Sequence, residues 1–278
     1  MLADTPGPSG PDPVEGESAS RRLAGLIEQR PDADGHGVVE WLNRLCGALA
    51  DEIDVAVVTV VLGAPGESSA VLAANTPSHA RHAETEFDVG EGPAQQAWTR
   101  RRPVLVSELD GPDGNAWPGY TMTAVAAGVR AAYAFPLQMG AARVGVLAIY
   151  HDEARGLTES DLNTCLSMAE LATQRLIDAS GPPAGQEIGT VPEIDPSLGW
   201  PLHVRDEVYQ AQGIIAVRLR VTLTEALARI RGHAFTAGRD LIDVAADIVH
   251  AGLALNDVAH DTPGAPADDP DERNEGLS

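Results

Sequence analysis

The chain has 278 residues, 44% of them hydrophobic, a formal net charge of −22, and arginine at all nineteen of its basic positions. That length bounds it to one or two domains with ample chain for a core, and the mean hydropathy of −0.10 is that of a soluble globular protein. Two cysteines without a CxxC pair exclude a disulfide framework and fit a reducing compartment. With no leader of signal-peptide type and no apolar run near ~20 residues, the expected place is the cytoplasm, with no membrane partner.

Residues 1–36, rich in Pro, Gly and Asp, are expected to form a disordered acidic segment with at most a short helix at "SRRLAGLIEQ". Regular patterning then starts. "VVEWLNRLCGALADEI" repeats Val38, Trp41, Leu42, Leu45 and Leu49 at spacings of three and four, which predicts an amphipathic helix. "DVAVVTVVLG" is a β-branched run of strand length, with "SAVLAAN" as its hairpin partner across "APGES".

In "HARHAETE", His79 and His82 stand three apart beside Glu84 and Glu86, a spacing able to share a metal on one helical turn. No third His or Cys accompanies them, so the segment reads as solvated polar chain and no metal is expected. "VGEGPAQ" lacks the third Gly and the Lys-Ser/Thr of phosphate-binding loops, and predicts a tight turn feeding a helix that starts at Pro93.

"RPVLVSEL", "RAAYAFPLQM" and "ARVGVLAIYHD" read as strands, with "MGAA" turning between the last two and an irregular stretch over 108–128. The closing helix, "TESDLNTCLSMAELATQRLIDA", opens on an acidic capping box of Thr158 and Asp161. Strands held between an opening and a closing helix predict an antiparallel α+β domain over 37–179. Cys46 and Cys165 sit on its apolar faces and are assigned to core. No G-x-S-x-G, HExxH or paired-carboxylate signature occurs, so no catalytic residue is named and no enzyme is expected.

The order of these elements, with "GEGPAQQAW" before "RPVLV" and "AGVRAAYAFPL" before "RVGVLAIY", resembles a GAF domain. The resemblance implies a sensory pocket for a small molecule between the sheet and the helices and loops of one face. Here it would be roofed by residues 88–98 and 108–128, with Val89, Glu91, Trp98, Trp117, Tyr120 and Met122 as its lining. Ala94 stands where many relatives carry Cys, so no cofactor or thiol chemistry is assigned.

The stretch 180–201 is proline-rich and reads as a linker. From 202 to 257 three short helices are predicted. The first spans about 203–219, with Val208, Ala211, Ile215 and Leu219 on one stripe. The second starts at a Thr222/Glu225 capping box, buries Leu223, Leu227, Ile230 and Ala234, and stops at Gly238. The third runs from about Arg239 to Leu255, with Leu241, Val244, Ala245 and Ile248 inward. Three such stripes close into a small bundle. Residues 258–278 form an acidic tail expected to be disordered.

Between 203 and 253 six arginines balance six carboxylates, so the bundle is neutral while the rest of the chain holds the whole −22. Arg218, Arg220, Arg229 and Arg231 gather around the first helix-to-helix turn, where guanidiniums can clasp phosphates and stack on bases. "AQG", "VTLTEALARIR", "HAF" and "LIDVAADIV", taken in order, closely resemble an ANTAR domain. That resemblance implies a homodimer that binds small RNA hairpins in nascent transcripts so that a terminator fails to form. Gln212, one turn back from the junction, joins the four arginines as a candidate base contact. Two other readings remain open: a helix-turn-helix that reads duplex DNA, and a protein-interaction bundle without nucleic acid.

Overall fold

A computed structural model describes residues 13–30, 37–64, 68–76, 80–180 and 206–253, and the chain divides into two compact units after Leu202. The expected linker (but for its first residue, Ser180) and acidic tail lie outside the described residues, as does His79. Among the described residues no helix is long and apolar enough to cross a membrane.

The first unit is built on a five-stranded antiparallel sheet in the order β2-β1-β5-β4-β3. Its strands are β1 (Val57–Ala64), β2 (Ser68–Ala74), β3 (Val104–Val106), β4 (Ala131–Met139) and β5 (Ala142–His151). Successive side chains alternate between faces, and the two faces differ in size. On one, Val58 and Val60 of β1, Tyr133 and Phe135 of β4, and Leu147 and Ile149 of β5 meet α2 (Val38–Ile53) and α6 (Glu159–Ser180). On the other, Ala132, Ala134 and Ala148 leave room for three short helices: α3 (Ala80–Val89), α4 (Pro93–Arg100) and α5 (Pro118–Ala126).

The segment 1–36, expected to be disordered but for a short helix at "SRRLAGLIEQ", supplies helix α1 (Pro13–Glu28), which takes in that stretch but for its last residue. Leu23 and Ile27, one turn apart, are fully buried in the α2/α6 core, and Arg22 pairs with Glu52 at 2.7 Å. So short a stripe is held by the apolar surface beneath it. The Thr158/Asp161 box closes reciprocally: Asp161 N–H donates to Thr158 Oγ1 at 3.1 Å and Thr158 N–H to Asp161 Oδ2 at 3.0 Å. Cys46 and Cys165 are buried, and burial pushes the Cys165 thiol up to about 12 and that of Cys46 higher still.

The second unit is a three-helix bundle of α7 (Asp206–Leu219), α8 (Leu223–Ala237) and α9 (Leu241–Ala246), the last continuing into a π-helical turn over Asp247–Ala251. Val208, Ala211 and Ile215 pack against Leu227, Ile230 and Ala234, with Leu241, Val244 and Ile248 closing the core. Two expectations need correction. Leu223 is not core but 58% exposed, since it opens α8 at the end of the bundle, past the reach of the neighbouring stripes. The third helix ends early: the turn widens to i−5 bonding and Gly252, at φ +63, terminates it.

Candidate ligand site and nucleic-acid interface

The polar centre of the first unit lies on the alanine-rich face. Glu86 is on α3, three and one residues from the buried Ala83 and Phe87, so the helical period carries its carboxyl inward. The segment read as solvated polar chain is therefore an amphipathic helix with an acid on its buried face. Glu86 is 2% exposed. Its Oε2 accepts from the N–H groups of Ala94 (2.8 Å) and Gln95 (3.3 Å), and its Oε1 from the hydroxyl of Tyr150 (3.3 Å).

That geometry explains "GEGP". The N-cap of α4 is Gly92, with no side chain to receive the first N–H groups, so the helix depends on an acceptor from elsewhere. Glu86 is that acceptor. A Cβ at Gly92 would sit 2.5 Å from the Glu86 carboxyl, and φ is +153 there, so only glycine fits. Glu91 does the same service for α5: its Oε1 accepts from the N–H groups of Gly119 (2.7 Å) and Tyr120 (3.3 Å). Two carboxylates, one on α3 and one in the turn after it, thus cap two helices over the sheet.

Burial outweighs these hydrogen bonds and raises the Glu86 carboxyl to about 8. Burial, and then the neighbouring Glu86, raise the Tyr120 and Tyr150 phenols well above their ordinary value. Thr59, also fully buried, lies beside the Tyr150 hydroxyl. The Tyr120 hydroxyl is fully buried and has no hydrogen-bond partner. The ring of His82, one turn before Glu86, is 5.8 Å from that of Tyr150.

The six residues assigned to the pocket lining do not share one surface. Trp117 and Tyr120 are buried on this face, and Val89 is half-buried against Gly119. Glu91 is committed to the α5 cap. Trp98 packs at the margin, with the Arg143 guanidinium 4.5 Å above its ring and donating to its carbonyl at 3.3 Å. Met122 points away, 59% exposed. Glu86 and Tyr150 were not singled out for this site, although their sequence positions carry a signal: Glu86 falls in the stripe of Ala83 and Phe87, and Tyr150 in phase with Val146 and Ala148. Among the described residues no group of three or more metal-capable side chains forms.

In the second unit the α7–α8 junction is tight. Arg220 adopts φ +55, in the left-handed region, and Val221 N–H closes onto Ala216 O at 3.1 Å. Thr222 Oγ1 accepts from Glu225 N–H at 3.2 Å. The Glu225 carboxylate turns to Arg229 at 2.6 Å, so the capping box is half-formed. Gln212 is buried and its Nε2 donates to Leu223 O at 2.8 Å, tying α7 to the start of α8. Arg231 is half-buried against the bundle. Arg218 and Arg220 are exposed, and among the described residues neither has a carboxylate partner. Exposed Val217 and Leu223 flank them.

Comparison with known proteins gives two domain matches. The GAF domain family model matches residues 36–176, about half of the chain, and the ANTAR domain model matches residues 201–249. Solved structures resemble part of the chain at low identity. The GAF domain of a phosphoenolpyruvate-protein phosphotransferase from Acinetobacter is 13% identical at a TM-score of 0.43, covering 60% of this chain and 95% of that one. The corresponding domain from Coxiella burnetii is 13% identical at 0.42, covering 60% and 95%. A free methionine-R-sulfoxide reductase from Neisseria meningitidis, in complex with its substrate, is 16% identical at 0.41, covering 62% and 94%. No curated protein matches the chain.

Proposed function

The chain belongs to the GAF domain family, and from that premise we propose a cytoplasmic, non-catalytic regulator of transcription. A small molecule binds between the sheet and α3–α5 of the GAF unit. The C-terminal bundle, which matches ANTAR, binds a hairpin in nascent RNA as a homodimer and prevents a terminator from forming. One observation carries the RNA assignment: two exposed arginines without carboxylate partners among the described residues, Arg218 and Arg220, crown one turn of a neutral bundle in a chain of net −22. Among the described residues Arg22, Arg30, Arg155, Arg229 and Arg239 are held by carboxylates. Two left open at one rigid turn suit phosphate.

Arg229 and Arg231 contribute less on this reading, since Glu225 holds one and the bundle packs against the other. Gln212 acts by fixing the junction. The test is binding of the full chain to a labelled RNA hairpin and to a DNA duplex of the same sequence. Hairpin RNA is expected to bind more tightly. Arg218→Ala with Arg220→Gly is expected to weaken it about tenfold or more, in line with the loss of charge-assisted bonds. Glycine suits the φ of +55, so the double variant keeps its fold. Tighter binding to the duplex would replace this reading with the helix-turn-helix one, and no binding to either would favour a protein-interaction bundle. Sedimentation of the full chain decides the dimer.

A further inference from the structure

The interior of the GAF unit holds a carboxyl group whose surroundings are incomplete. Every hydrogen bond to Glu86 is donated to it, two by backbone N–H groups and one by the Tyr150 phenol. Such a set favours the carboxylate over the acid, and burial opposes it more strongly. Yet no arginine or histidine among the described residues pairs with it, and a buried carboxylate without a counter-charge is expensive. Near enough to Glu86 to feel its charge, the hydroxyl of Tyr120 is buried without a partner among the described residues. A buried polar atom with no partner marks a place where a water or a ligand belongs.

The walls narrow the choice. Trp117, Tyr120 and Tyr150 lie in one cluster with Ala94, Ala124 and Ala148, which gives aromatic rings separated by small side chains. Aromatic rings attract a cation, a carboxylate pairs with it, and Tyr120 supplies a further polar contact. An anion would oppose the ionised form of Glu86 and finds no counter-charge in this cluster. A metal ion lacks ligands, since no group of three or more metal-capable side chains forms among the described residues.

We propose that the molecule sensed by the GAF unit carries an organic cationic head, an ammonium or amidinium, seated between Glu86 and the rings of Tyr120, Tyr150 and Trp117. This rests on the sensor reading and narrows it to one class of ligand. The head donates to Glu86 Oε1, whose bond from Tyr150 is long at 3.3 Å, while Oε2 stays with the α4 cap. Where Glu86 carries its proton, that proton leaves to solvent as the cation arrives, so the site itself falls by one charge unit and the loaded site is neutral in total.

The full chain should be titrated with three matched probes, 2-phenylethylammonium, 2-phenylethanol and phenylacetate, following tryptophan emission and thermal unfolding. The ammonium is expected to saturate and to stabilise the chain, with the alcohol at least tenfold weaker and the carboxylate weaker still. Glu86→Gln, which preserves shape and the α4 cap, should lower ammonium affinity at least tenfold and leave the alcohol unchanged. Tyr120→Phe should weaken the ammonium several-fold, and it tests the site even where Glu86→Gln does not fold. Equal binding of alcohol and ammonium, unchanged ammonium affinity in both variants, or no response to the ammonium overturns the cation assignment. Saturable binding of the alcohol or the carboxylate in its place would do so while leaving the sensor reading intact. Failure of the sensor reading itself is read separately, as absence of any stabilisation by a fractionated metabolite extract.

Discussion

Glu86 shows how one side chain links helix, cap and sheet. Its carboxyl, raised to about 8 against an ordinary 4.5, keeps its proton in the folded chain at pH values where the unfolded chain has lost it. An acid shifted upward stabilises fully below 4.5, and its contribution falls as pH rises, reaching its floor near 8. The parent should therefore lose stability relative to Glu86→Gln between pH 4.5 and 8, at up to about 1.4 kcal/mol per pH unit, and no further above it. Urea unfolding of both proteins at pH 5, 7 and 9 checks this. A constant difference across the three would mean that the carboxyl is already ionised at pH 5.

At the scale of elements, angular position on a helix is not sufficient to predict burial. Leu223 and Leu227 are one turn apart on α8 and share its apolar stripe, yet Leu227 is buried and Leu223 is exposed. Leu227→Ala should destabilise the bundle by about 2–5 kcal/mol as a core truncation. Leu223→Ala should stay within about 0.5 kcal/mol, as exposed substitutions do. Thermal unfolding of the two variants separates them. Comparable losses would place Leu223 in an interface between copies of the chain. The same distinction applies to α3 and α5, which were read as polar or irregular chain. Each is ten residues or fewer; α3 is fixed by the Glu86 that it sends to the start of α4, and α5 by the cap from Glu91, contacts that no local pattern announces.

For the whole molecule, charge is the governing quantity. The neutral bundle belongs to a chain of net −22, so on the proposed function RNA would be held by a few local contacts against a repulsive background. Binding should weaken as salt rises, with log K falling by ~0.7 per phosphate neutralised on a single-stranded loop. Two contacts, from Arg218 and Arg220, predict a shallow slope near ~1.4, and the double variant should flatten it. Filter binding across a salt series measures both. A steep slope in the parent would assign phosphate contacts to arginines beyond the junction, and salt-independent binding would remove the phosphate argument.

The α+β class, both sheet-forming hairpins, the α2 and α6 helices, the three-helix bundle and the neutrality of that bundle were legible in the sequence. Each depends on local periodicity or on a sum over residues, and those survive without knowledge of the partners. The tertiary structure decided the rest. Two residues of α1 become ordered by a core that lies far along the chain. Gln212 is spent on Leu223 O rather than left for a base, Met122 turns to solvent, and Glu91 caps a helix 28 residues away. Above all, Glu86 became a candidate site only when Ala94, Tyr120 and Tyr150 were brought to it across as many as 64 residues. A sequence can show that an acid falls within an apolar stripe. Which donors meet it, and whether a counter-charge is missing, depends on contacts that exist only after the chain has folded.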